Sequence, residues 1–109
     1  MRIKIENIFR GTAGAIGAEE FATLLETEAV KVQRIVSHAA KSPEEFWYEQ
    51  SYTEWVMVLR GYAVLEFESG QRIEMNEGDY LAIPPHARHR VERTGPETIW
   101  LVVHLTAGA

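Results

Sequence analysis

The chain has 109 residues and a mass of 12.4 kDa, which suits one domain with a single core and leaves no room for two. Its composition, 46% hydrophobic and 25% charged, is that of an ordinary globular protein and argues against wholesale disorder. The net charge of −5 disfavours nucleic acid as a partner, because phosphate binding needs a basic surface. The absence of cysteine excludes disulfides, cysteine nucleophiles and thiolate zinc sites.

Membrane insertion and export are not indicated by the sequence. The apolar run near the C-terminus, Ile99 to Val103, is far too short to cross a bilayer. At the N-terminus, Arg2, Lys4 and Glu6 interrupt the isoleucines, so the pattern of a signal peptide is missing. We therefore expect a cytoplasmic protein that does not contact a membrane.

The first 28 residues predict an N-terminal arm with a short helix. Ile3 and Ile5 alternate with charged residues and could form a short edge strand, and three glycines then indicate a flexible turn. Residues 18–26 predict the helix, because Phe21, Leu24 and Leu25 share one helical face. A helix this short needs tertiary packing to persist.

Residues 29–109 predict a barrel of short β-strands. Alternating and β-branched segments are separated by turn signals such as Ser69-Gly70. The predicted strands are Val30–Val36, Glu54–Leu59, Tyr62–Glu68, Arg72–Met75, Tyr80–Ile83, His89–Glu92 and Thr98–Leu105. Many short strands at close spacing favour an all-β sandwich or barrel.

Glu54 is the carboxylate that stands out. It opens an otherwise apolar strand, and period-two geometry places it on one face with Val56 and Val58. A buried carboxylate is costly unless it is paired, hydrogen-bonded or bound to a metal. A solvated position at the end of the strand is equally compatible with this pattern.

Two of the four histidines are predicted to point inward. His89 shares a strand face with Val91, and His104 shares one with Trp100 and Val102. A lone inward histidine is more often a hydrogen-bonded core residue than a ligand. His38 has no partner in the sequence and is predicted to be solvated in a polar loop.

The run from Gly78 to His89 strongly resembles the second conserved motif of the cupin superfamily. The motif consists of a glycine, five residues, a proline, one residue, usually a glycine, then two residues and a histidine, and only His86 departs from it. Glu54, followed by six residues and Gly61, matches the second half of the first cupin motif. The resemblance covers roughly residues 30–105 and implies a double-stranded β-helix, or jelly-roll, barrel. His86, at the usual glycine position, is expected to adopt a left-handed conformation.

The resemblance also implies a candidate metal site at the barrel mouth. Metal-binding cupins carry two histidines three or four residues before the glutamate, but the matching positions here are Tyr48 and Gln50, or Trp47 and Glu49 with the longer spacing. The first register is preferred, because Tyr48, Gln50 and Glu54 then share one strand face. Glu54 and His89 therefore carry over as ligands, and Gln50 and His104 could complete the set around Fe, Mn, Ni, Zn or Cu. The alternative is a hydrogen-bonded network without metal.

Two functions remain open on the sequence. One is a metal-dependent enzyme of unknown substrate, and the other is a metal-free module that binds a small molecule or acts as a regulator. Trp47, Tyr48 and Trp100 are predicted to line the ligand site, and Arg90 at the rim could bind an anionic group. A third possibility is a subunit that only dimerises or docks to a partner. Similarity to small cupins implies a homodimer that uses the N-terminal arm.

Overall fold

The computed structural model describes residues 1–106, and these residues form eight β-strands and no helix. The last three residues of the predicted barrel segment, 107–109, lie outside the described part. The strands are β1 (Glu19–Glu26), β2 (Val30–Ser37), β3 (Thr53–Arg60), β4 (Ala63–Phe67), β5 (Arg72–Met75), β6 (Tyr80–Ile83), β7 (His89–Thr94) and β8 (Thr98–Leu105).

The strands form two antiparallel sheets, and the all-β prediction is confirmed. The larger sheet has the order β1-β2-β8-β3-β6, and the smaller has the order β5-β4-β7. The core between them takes residues from both sheets, such as Val58 and Trp100 from one and Leu65 and Met75 from the other. This is a jelly-roll barrel, in which alternate residues of each strand point inward.

The inward face of β3 follows the predicted alternation. Val56 and Val58 are buried, and Val56 lies opposite Val102 of β8. Burial of such a side chain contributes roughly 1.5–3 kcal/mol, so this row of valines is a main source of stability. Glu54 continues the same row by one step, which directs its carboxylate into the barrel.

The predicted helix over residues 18–26 is wrong, because these residues form strand β1. Backbone pairing runs from Glu19 opposite Ser37 to Glu26 opposite Lys31, with an irregularity between Thr23 and Leu25. Leu24 and Leu25, which would form the helical stripe, remain exposed. A nine-residue helix without a partner for its apolar face is marginal, whereas a strand gains a full ladder of hydrogen bonds from β2.

The glycine that ends β3 is required by geometry. Gly61 has a φ of 84°, and a Cβ atom there would lie 2.5 Å from the backbone oxygen of Glu97. Only glycine fits both the left-handed conformation and the close approach of this neighbouring chain segment. The spacing from Glu54 to Gly61 is thus set by the length of β3 and the turn that follows it.

The N-terminal arm is partly tied to the larger sheet. The Arg34 guanidinium donates to the carbonyl oxygens of Ile8 and Arg10, and the Arg60 guanidinium lies 4.7 Å from the centre of the Phe9 ring. Ile3 and Ile5 lie beyond these contacts and do not form the expected edge strand. Among residues 1–106, nothing has the length and hydropathy of a membrane-spanning helix.

Candidate functional site

Two histidines, one from each sheet, meet at the carboxylate of Glu54. His104 of β8 lies directly opposite Glu54 of β3 in the strand register, and its Nε2 is 2.6 Å from Oε2. From the smaller sheet, Nε2 of His89 lies 3.6 Å from Oε1. The Glu54 side chain is only 12% exposed, so the solvated alternative is excluded and the carboxylate is partnered on both oxygens.

The two histidines determine the charge of the site. Burial alone raises the pKa of the Glu54 carboxyl, but the hydrogen bonds and the charges of His104 and His89 outweigh it and lower the pKa to about 2. Burial lowers the pKa of His89, yet Glu54 and the Ala87 carbonyl together raise it above the usual value. The cluster therefore contains a stable carboxylate whose charge is compensated inside the protein.

A backbone carbonyl fixes the protonation of His89. Its Nδ1 lies 2.9 Å from the carbonyl oxygen of Ala87, and because a carbonyl only accepts, Nδ1 donates this hydrogen bond. The neutral ring then presents a bare Nε2 toward Glu54, and the charged ring presents an N–H there. The contact with Glu54 favours the charged form.

Residues 46–52 form a segment, here called the strap, that pairs with the start of β7. It brings two predicted residues, Tyr48 and Gln50, to this cluster. Tyr48 exchanges two backbone hydrogen bonds with His89, and the N–H of His86 donates to the carbonyl of Gln50. Gln50 then donates its side-chain amide to Oε2 of Glu54 at 3.5 Å. The left-handed conformation expected for His86 is confirmed by its φ of 66°, and it aims this N–H at the strap.

A cavity of about 190 Å³ adjoins the cluster. It includes all four predicted metal ligands and two of the predicted ligand-binding residues, Tyr48 and Trp100. The lining residues are Glu19, Phe21, Gln33, Ile35, Lys41, Ser42, Tyr48, Gln50, Glu54, Val56, Leu65, Ile83, His89, Val91, Trp100, Val102 and His104. A concave, mostly apolar space with a few convergent polar groups is the usual form of a small-molecule site.

Trp47 and Arg90 are not among the residues that line the cavity. The Arg90 guanidinium lies 3.3 Å from the Glu66 carboxylate and donates to the carbonyl oxygens of Ser42 and Pro43. These contacts tie strand β7 to the loop before the strap. Arg90 therefore stabilises the barrel, whereas the sequence predicted that it would bind an anionic group at the rim.

The four predicted ligands do not form a metal-binding set in this arrangement. His104 lies 2.6 Å from Oε2 of Glu54 and His89 lies 3.6 Å from Oε1, while Gln50 turns its amide nitrogen toward the carboxylate. Across residues 1–106, no group of three or more His, Cys, Asp or Glu side chains is arranged to hold a metal ion. Metal binding by Glu54, His89, Gln50 and His104 stays a prediction, and no chemical step below depends on it.

Several site residues were not predicted from the sequence. Glu19 and Phe21 line the cavity from β1 and were hidden by the helix prediction. The Tyr52 ring lies 4.9 Å from the His104 ring, and burial and the charge of Glu54 raise its pKa despite a hydrogen bond with Gln50. Tyr52 lies two residues from both Gln50 and Glu54, so strand parity could have predicted its place in the site.

His38, predicted to be solvated, is buried, so that prediction is wrong.

Comparison with protein families identifies the barrel segment. A family model described as "Cupin domain" matches residues 32–104, which include both motifs and the Glu54 cluster. No curated protein matches the chain.

Solved structures share the fold. A protein from Ralstonia eutropha JMP134, named as a candidate mannose-6-phosphate isomerase, is 40% identical, with a TM-score of 0.89 over 96% of this chain and 100% of that chain. An RmlC-like cupin from Methanocaldococcus jannaschii has a TM-score of 0.73 at 17% identity, over 96% and 92% of the two chains. A conserved protein of unknown function from Streptococcus pyogenes has a TM-score of 0.79 at 13% identity, over 100% and 92%. The last two similarities show the fold alone.

Proposed function

Because the chain belongs to the cupin domain family, we propose that its barrel binds a small organic molecule in the cavity beside Glu54. The observation that carries the proposal is the convergence of Glu54, His89, His104 and Gln50 at one end of a partly open cavity of about 190 Å³. Ligand sites combine a shaped apolar space with a few polar groups that orient the bound molecule, and this cavity has both.

The cluster supplies a fixed hydrogen-bond acceptor. His104 and Gln50 both contact Oε2 of Glu54, so the carboxylate is held in one orientation. Oε1 has only the longer contact with His89. A bound molecule can therefore donate to Oε1 without displacing His104, and His89 lies close enough to exchange a proton with the same polar group.

Binding of small fluorinated fragments followed by 19F NMR tests the proposal. We expect one-ring fragments to broaden on the wild-type protein and to lose that broadening in Val91→Phe, because the larger side chain fills the cavity. Glu74→Gln, an exposed substitution on β5, is the matched control and should bind like wild type. The proposal fails if no fragment binds or if Val91→Phe, shown to be folded by circular dichroism, binds them unchanged.

Elemental analysis of the same preparation, purified without chelator, checks the metal prediction independently. A value near zero that persists after incubation with Fe, Mn, Ni, Zn or Cu agrees with a metal-independent site. About one metal per chain, lost in both Glu54→Ala and His89→Ala, would instead make these residues metal ligands.

The name of the Ralstonia eutropha protein makes mannose 6-phosphate a compound to include. Specific displacement of the fragments by mannose 6-phosphate would support a sugar phosphate as the ligand. Conversion to fructose 6-phosphate, followed by NMR, would then show an isomerase. Binding without conversion would support a binding or regulatory module.

A further inference from the structure

The inner part of the cavity has room for one ring. A cavity of 150 Å³ engineered into another protein takes up benzene, and the present space is about 190 Å³. A single six-membered ring with one substituent therefore fits inside, whereas a larger compound would extend out of the open side of the cavity.

The middle of the cavity is apolar. Val56 and Val102 face each other across the β3–β8 ladder, and Trp100 lies one inward step further along β8. Val91 and Leu65 line the cavity from the smaller sheet. The Trp100 indole already donates its N–H to the hydroxyl of Ser37, so it offers this wall no free donor. Such walls favour an apolar ring body.

At the polar end of the cavity, Glu54 can accept a hydrogen bond from a ligand. Oε2 of Glu54 accepts a hydrogen bond from His104 at 2.6 Å and has a long contact with Gln50 at 3.5 Å, while Oε1 has only the long contact with His89 at 3.6 Å. The remaining acceptor capacity on Oε1 matches one hydroxyl group. An anionic group placed there would face the charge of Glu54.

The two arginines near the cavity are already paired with carboxylates. Arg90 is engaged with Glu66 and two carbonyl oxygens, and Arg88 is paired with Glu49 and Glu68. Lys41 also lines the cavity, but it is exposed, and pairing with an exposed lysine contributes little affinity. Residues 1–106 also offer no helix N-terminus that could bind a phosphate.

We propose that the ligand is a neutral one-ring alcohol or phenol whose hydroxyl group donates to Glu54 while its ring lies between Val56, Val102 and Val91. This inference rests on the proposed function and specifies the chemical class of the molecule bound there.

Three probes of matched size test it: phenol, toluene and benzoate, measured by ligand-observed NMR titration near pH 7.5. We expect phenol to bind about tenfold more tightly than toluene, because a hydrogen bond to a buried carboxylate is a charge-assisted one. Benzoate should not bind measurably. Glu54→Leu should bind phenol and toluene equally, since it keeps the apolar volume and loses the acceptor.

A second variant protects the test against a folding failure of Glu54→Leu. Glu54→Gln removes the negative charge at nearly constant shape, so we expect it to admit benzoate, while Glu74→Gln behaves like wild type. Equal binding of phenol and toluene by wild type, or tighter binding of benzoate or mannose 6-phosphate than of phenol, overturns this inference. Fragment binding that is lost in Val91→Phe, together with no binding of phenol, overturns it and leaves the proposed function standing. Absence of all fragment binding defeats both.

Discussion

The carboxylate of Glu54 is stable in the barrel because two imidazoles and an amide contact it. Removing one partner from a buried charged pair generally costs about 3–5 kcal/mol, since the other group is left uncompensated. Histidine can limit this cost by losing its proton, whereas Glu54, with a pKa of about 2, stays charged near neutral pH. Loss of His104, which makes the shortest contact in the cluster, is therefore more damaging than loss of Gln50.

The ionisation of His89 depends on Glu54, and this gives a pH prediction. The pKa of His89 is raised above its usual 6.5, so the stability it contributes is fully present below pH 6.5 and is lost as the pH rises through the folded-state value. In Glu54→Gln the burial of the ring dominates, and we expect His89 to titrate below 6.5. NMR titration of the imidazole Cε1–H signals measures both values.

The contribution of Glu54 to stability depends on pH in the opposite direction. Its pKa falls from 4.5 to about 2 on folding, so its stabilisation is present above pH 4.5 and is lost as the pH falls toward 2. The free energy of unfolding of wild type, measured in urea, should thus decrease at both low and high pH. That of Glu54→Gln should decrease less at either end of the pH range. The control Glu74→Gln should follow wild type. An His89 pKa that is the same in wild type and Glu54→Gln would contradict the pairing.

Among the elements, the turn before β7 is the one that joins the strap to the barrel. His86 holds a φ of 66°, a conformation that costs a side chain with a Cβ of order 1 kcal/mol and that glycine adopts freely. We expect His86→Gly to match or exceed the stability of wild type, because the lost contact between His86 and Glu49 is exposed and contributes little.

His86→Val is the matched variant, since a β-branched residue tolerates a positive φ least. It should destabilise the fold by more than about 1 kcal/mol in urea unfolding and weaken fragment binding, because the strap carries Tyr48 and Gln50. Equal stability of the glycine and valine variants would show that the left-handed conformation does not limit the turn.

The same elements show what the sequence predicts and what it does not. The inward direction of Glu54, His89 and His104 follows from strand parity, since period two is robust once a strand is assigned. Strand β1 was missed because Phe21, Leu24 and Leu25 fit a helical period locally, and only pairing with β2 decides between the two. The roles of Arg90 and His38 depend on contacts with loops that are remote in sequence. Arg90 contacts Ser42 and Pro43, and His38 contacts Gly14. No local sequence pattern contains these contacts.

At the scale of the whole molecule, the two sheets differ in how much apolar surface they leave exposed. The larger sheet ends at β1, whose Phe21 is 61% exposed, and the arm beyond it exposes Ile3 and Ile5 by 89% and 93%. Exposed apolar side chains next to an open strand edge are typical of an interaction surface.

We expect this surface to make the protein a homodimer, with twice the chain mass of 12.4 kDa by light scattering coupled to size exclusion. The double variant Ile3→Glu, Ile5→Glu should shift the population toward monomer, because each isoleucine loses burial and gains a charge that the interface would have to desolvate. Arg2→Ala, in the same arm, is the matched control and should remain dimeric. The arm residues lie outside the Glu54 cluster, so fragment binding should survive in the monomer. A wild-type protein that is monomeric at every concentration tested would show instead that the isoleucines of the arm serve no contact between copies.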